Sequence, residues 1–271
     1  MTGYSVVSTG GSDIFVAKLA GTDGATRWQR ALGGPAAEND RGTGVATVAG
    51  GDVIVTGNFA GTLNLGGIPL TSNGLSDVFV TKLRGSDGAP QWARRFGSAA
   101  IEDGTAVNVD AEGALWLSGR FYNTTVDFGG GVLTANGNAI FLLELDAAGN
   151  HLWSRSLNAT GSGVSGRLRT APGGGVVVAG TFDGSLTTGA PSPLVSAGGN
   201  DIFMARYDAM GQHVFSQRFG GTGADGATAV HARGDILTIG GAFTGPVDFS
   251  GGVRTGSAFV LGLSLSDGGY R

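Results

Sequence analysis

The chain has 271 residues, of which 53 are glycine and none is cysteine, and its 17 basic and 21 acidic side chains leave a net charge of −4. With 41% hydrophobic and only 14% charged residues it is too apolar to stay unfolded, and its glycines follow no three-residue period, which excludes collagen. The acidic balance disfavours a nucleic-acid partner, and the lack of cysteine removes disulfides, thiolate metal sites and a cysteine nucleophile. No apolar run approaches the ~18–20 residues of a membrane span. The first eleven residues lack the basic and apolar regions of a secretion signal.

The first predicted element is a strand at 13–19, Asp-Ile-Phe-Val-Ala-Lys-Leu, with alternating side chains and β-branched and aromatic residues. A turn at Gly24 follows, and four residues later Trp28 lies on a second strand. Next come a small-residue strand at 44–48 and a strand at 53–59 that ends in glycine and phenylalanine. The cycle then restarts. The Asp-x-Phe strand recurs at positions 77, 139 and 201, and in a shorter copy at 257. The turn glycine recurs as Gly88, Gly149 and Gly211, and the aromatic after it as Trp92, Trp153 and Phe215. The second-strand pattern recurs at 115–121, 176–182 and 236–243, with Gly57, Gly119, Gly180 and Gly240 near the strand ends. A looser stretch closes the unit, as in 126–130 and 247–251.

No segment has helical spacing over ten or more residues. Each repeat of about 62 residues therefore holds about four short antiparallel strands, which predicts an all-β fold, a β-propeller of about four four-stranded blades. The single domain 1–271 comprises about four repeats and a partial fifth. The small-residue strand suits the crowded centre, and the Trp strand, carrying Arg30, Arg94, Arg95, Arg155 and Arg218, suits the rim, where charge blocks edge pairing. The expected closure places the first strand pair, 13–32, against the strands at 226–243, with 257–265 as an added edge strand. The alternative is an open arc, or a piece of a larger propeller.

These motifs resemble the bacterial β-propeller repeat called SBBP. The phrases that carry the resemblance are Asp77-Val-Phe-Val-Thr-Lys-Leu83, Gly88-x-x-x-Trp92, Val53-Ile-Val-Thr-Gly57 and Val126-Asp-Phe-Gly129. The resemblance spans nearly the whole chain. It implies a propeller in a secreted or cell-surface protein and implies no activity. The third repeat departs from it, with Ala139 for the leading aspartate, Glu144 for Lys or Arg, and Arg167 and Arg169 in its small-residue strand.

Several residues invite a functional reading. Glu38, Asp40, Glu102, Asp103 and Asp225 precede the inner strands and are expected on one loop face. Such acids suit a cation, a basic peptide or a sugar, and a carboxylate pair suits general acid–base hydrolysis of a glycan. The competing reading is turn chemistry on a solvated rim. Arg167, Arg169 and His231, on inner strands, are candidates to line the central channel. The recurrent Asp13, Asp77 and Asp201 are expected to cap turns, as are Asp127 and Asp248. Trp28, Trp92 and Trp153 are expected to pack between blades. His151 and His213 fall in different blades, so no metal site is expected, and no cofactor motif is present. The functional expectation is a non-catalytic repeat module for protein or glycan binding, or a structural spacer in a secreted or surface protein. The alternative is a propeller-type glycan hydrolase or lyase using the acidic loop residues.

Overall fold

The computed structural model describes residues 7–8, 11–35 and 38–271. The stretch 1–11, read above as lacking a secretion signal, therefore lies largely outside the described residues. The described residues form strands and turns with no helix, and none of them makes a helix long and apolar enough to cross a membrane. The fold is a β-propeller built of antiparallel blades.

A leading hairpin pairs Ile14–Leu19 with Thr26–Leu32. Blade one runs from the inner strand Arg41–Thr47 through Val53–Phe59 and Asp77–Leu83 to the rim strand Pro90–Phe96. Blade two repeats this order with Glu102–Val109, Leu115–Tyr122, Asn138–Leu145 and His151–Ala159. Blade three follows with Val164–Thr170, Val176–Phe182, Asp201–Tyr207 and His213–Phe219. Among the described residues, blade four has three strands, Gly226–Arg233, Ile236–Ala242 and Ala258–Ser264. A small hairpin lies between the second and third strands of every blade, for example Thr125–Asp127 against Val132–Thr134.

The closure expected from the sequence is not formed. Ile236–Ala242 pairs along its full length with Ala258–Ser264, so the strand expected as an added edge is the proper third strand of blade four. Among the described residues, the leading hairpin stays a two-stranded sheet. The local sequence explains the preference, since Ala258-Phe-Val carries the same pattern as the other third strands and a short hairpin at Val247–Arg254 delivers it to its neighbour.

The hydrophobic cores lie between blades rather than within them. One joins Ile14, Val16 and Trp28 to Val53, Val55 and Phe79. The next joins Ile54, Val78 and Val80 to Leu115, Leu117 and Phe141, and two more continue through blades three and four. Middle strands thus bury both faces and read as unbroken apolar runs, whereas Ile14–Leu19 alternates between buried and exposed because one face meets no blade.

Two repeating contacts hold this array. In each blade a second-strand glycine faces the third-strand phenylalanine: Gly57 with Phe79, Gly119 with Phe141, Gly180 with Phe203 and Gly241 with Phe259. In the fourth repeat that glycine is Gly241 rather than Gly240. A methyl on Gly119 would come within 2.3 Å of the Phe141 ring and 2.0 Å of the Asp103 carbonyl oxygen, so only glycine fits. The second contact spans blades. The rings of Trp28, Trp92 and Trp153 lie on Gly88, Gly149 and Gly211 of the following blade, as the inter-blade packing role requires.

Candidate functional site

The recurrent acids are structural. The carboxylates of Asp77 and Asp201 are buried, accept from the backbone N–H of Asn73 and Ala197, and are ion-paired with Arg95 and Arg218. Asp127 and Asp248 each accept from two N–H groups of their own small hairpins.

The loop acids do not form one open face. Asp40, Glu102 and Asp225 are buried at 5%, 0% and 2% exposure. Each ties down its own rim-to-inner loop: Asp40 accepts from Gly34 N–H, Glu102 from Ser98 N–H and hydroxyl, and Asp225 from the N–H groups of Gly221 and Thr244. In blade three Asp183 does the same for Ser162 and Gly163. Loop N–H groups that leave the sheet need acceptors, and a carboxylate supplies two oxygens. Burial pushes the Asp40 carboxyl up to about 6 and raises that of Glu102. Glu38 is exposed, and Asp103 alone of the set lies on the inner-strand surface.

His151 and His213 each contact a serine hydroxyl of their own rim strand, at 3.1 and 3.0 Å, and burial lowers the pKa of both. His231 is exposed on the inner strand of blade four. No group of metal-ligating side chains suited to an ion occurs among the described residues.

On the inner strands, side chains of three blades meet. A cavity of ≈ 400 Å³ is lined by Arg41 and Asn58 of blade one, Asp103 and Arg120 of blade two, and Arg167 of blade three. A second, of ≈ 290 Å³, shares Arg120 and Arg167 and extends to Thr181 and Thr228. A third, of ≈ 260 Å³, runs from Arg120 past Tyr122 to Ser162 and Asn200. Arg120 stands at the junction of all three. Its guanidinium approaches Asp103 at 3.4 Å and lies 5.7 Å from the centre of the Tyr122 ring, and its buried Nε has no partner among the described residues.

Local sequence places Arg167 there. In blades one, two and four the inner strand bulges at a threonine, Thr43, Thr105 or Thr228, within Gly-Thr-Gly-Val, Gly-Thr-Ala-Val and Ala-Thr-Ala-Val. Blade three reads Gly166-Arg-Leu, one residue shorter, and pairs without a bulge. Arg167 therefore stands where the other blades have Gly44, Ala106 and Ala229. Arg167 lines two of these cavities. Arg169 is exposed and bonds to the carbonyl of Leu168, outside these cavities. Arg41 and Arg120 were not singled out from sequence. Their signal is departure from the repeat: Arg120 follows Gly119 where other blades have Asn58 and Thr181.

No family model matches the chain, and no curated protein matches it. Among solved structures, the chain is similar to the quinohemoprotein alcohol dehydrogenase ADHIIG of Pseudomonas putida HK5, with TM-score 0.47 and 11% identity over 97% of this chain and 48% of that one. The quinohemoprotein alcohol dehydrogenase of Comamonas testosteroni gives TM-score 0.40 and 11% identity, covering 94% of this chain and 56% of that one. BamB of Moraxella catarrhalis gives TM-score 0.35 and 14% identity, covering 94% and 80%. The chain spans about half the length of the two dehydrogenases. The propeller assignment rests on the blades themselves.

Proposed function

We propose that the protein is a non-catalytic β-propeller module of the SBBP repeat type, acting in a secreted or cell-surface setting, and that it binds protein or glycan on its inner-strand face. One observation carries this reading. Asp40, Glu102 and Asp225 are separated into loop caps, and among the described residues Asp103 is the only acid that lines the three inner-strand cavities. Hydrolysis of a glycan by the two-carboxylate route needs a pair about 5–9.5 Å apart in one cleft. Asp103 stands there beside Arg120 instead, an arrangement suited to holding a polar ligand.

A glycan array run beside a hydrolysis screen tests the proposal. Retention of a glycan or a protein segment without product release is the expected result. Product release that disappears in Glu102→Ala or Asp103→Ala would overturn it.

A further inference from the structure

The inner-strand face is basic on an acidic molecule. Three guanidiniums, Arg41, Arg120 and Arg167, line one cavity against the single carboxylate of Asp103, while the whole chain carries −4. The side chains of Arg41 and Arg167 are exposed and form no hydrogen bond or ion pair with other described residues. Arg120 has only its long contact to Asp103, and its Nε donor is unspent. Three planar forks with free donors, brought together from three blades, match carboxylates in geometry and in charge. The surrounding walls are hydroxyl and amide groups, from Thr43, Asn58, Thr105, Ser165 and Thr181.

We infer that this face binds an acidic oligosaccharide, its carboxylates seated on Arg41, Arg120 and Arg167 and its hydroxyls on the threonine, serine and asparagine side chains. The inference rests on the module reading above and names the ligand class for the same face. An extended acidic peptide fits less well. Peptides dock by adding a strand to a free edge or by filling apolar pockets. The inner edges of blades one, two and four are broken by bulges at Thr43, Thr105 and Thr228, which interrupt such pairing. The cavity that holds all three arginines has mostly polar walls. Three cavities meeting at Arg120 suit a ligand several sugar units long.

The test uses calorimetry with a hexamer of galacturonate, a neutral maltohexaose and hexaglutamate as probes. The full chain is compared with Arg41→Gln, Arg167→Gln and, as a charge-matched control on the leading hairpin, Arg27→Gln. The galacturonate hexamer binds, more weakly as salt rises. Arg41→Gln and Arg167→Gln each weaken it about tenfold, the size of one charge-assisted bond, and Arg27→Gln leaves it within about twofold. Unchanged melting of the variants shows that the loss is local. Failure of the hexamer to bind, equal binding by the arginine variants, or binding of hexaglutamate in its place overturns the inference. If maltohexaose binds and the arginine changes leave it untouched, the acidic ligand falls and the module reading stands. Cleavage of the hexamer overturns the module reading itself.

Discussion

Substituting alanine at Gly211 isolates the contact that joins one blade to the next. Gly211 has φ of 72°, and an added Cβ would lie 2.5 Å from the Trp153 ring of the preceding blade. Gly24 has nearly the same backbone, φ 71°, but among the described residues its added Cβ meets nothing within 4 Å, and no ring lies on this turn of the leading hairpin. Gly24→Ala therefore carries only the left-handed backbone cost, about 1 kcal/mol. Gly211→Ala carries that cost and must also move a ring by about 1 Å to restore normal contact, which adds roughly 1–3 kcal/mol of overpacking. The expected losses are about 1 kcal/mol at Gly24 and about 2–4 kcal/mol at Gly211. Guanidinium denaturation, followed by far-ultraviolet circular dichroism and by tryptophan fluorescence, measures both, and agreement of the two probes checks that the array unfolds as one unit. The excess should vanish in a Trp153→Ala background, since the clash is then gone. Equal losses at the two glycines, or an excess that persists without Trp153, would refute the inter-blade account.

Glu144 gives a pH prediction. It is buried between Trp116 and Trp153, its cross-strand neighbours, and burial pushes its carboxyl up to about 7, with Asp110 adding to the effect. A raised acid pKa means the folded state holds more protons than the unfolded one between about pH 4.5 and about 7. Stability therefore falls as pH rises through that window. Glu144→Gln should stabilise the protein at pH 8 by up to about 3 kcal/mol, since one pKa unit is about 1.4 kcal/mol, and by little at pH 4.5; melting curves at both values check this. Asp40, raised to about 6, has the same sign, so Asp40→Asn should help more above pH 6 than below pH 4, less any loss from its weaker loop cap. Asp201→Asn leaves the Arg218 guanidinium without its carboxylate partner. Because Arg218 is about one-third exposed, a loss of about 2 kcal/mol is expected, below the 3–5 kcal/mol of a fully buried pair, and denaturation midpoints measure it.

Much of the fold was legible because the repeat writes the same local instruction in each unit. Asp-x-Phe, the turn glycine and the aromatic four residues on define the outer pair of strands, and the same spacing predicted the Trp rings between blades. The site was less legible. Arg120 and Arg41 are single arginines in strands, and only the convergence of three inner strands gives them a common cavity. The loop acids read as turn residues in sequence, but not as buried ones. A carboxylate in a loop looks solvated in sequence, but the loop's own N–H groups draw Asp40, Glu102 and Asp225 inward. Arg167 was visible as an odd residue in its repeat, while the missing bulge that aims it shows only in strand pairing.

The sequence by itself determined strand positions, turn chemistry and the blade repeat, because these depend on contacts within about sixty residues. Tertiary structure decided which strands pair at the ends and which charges share a space. Ala258–Ser264 took the edge of Ile236–Ala242 that distant Ile14–Leu19 was expected to fill, since bringing a nearby strand home closes a shorter loop and loses less chain entropy. Single arginines depart from the repeat, but no local pattern joins them into one face. That face exists only where blades from three different repeats turn their inner strands towards one centre.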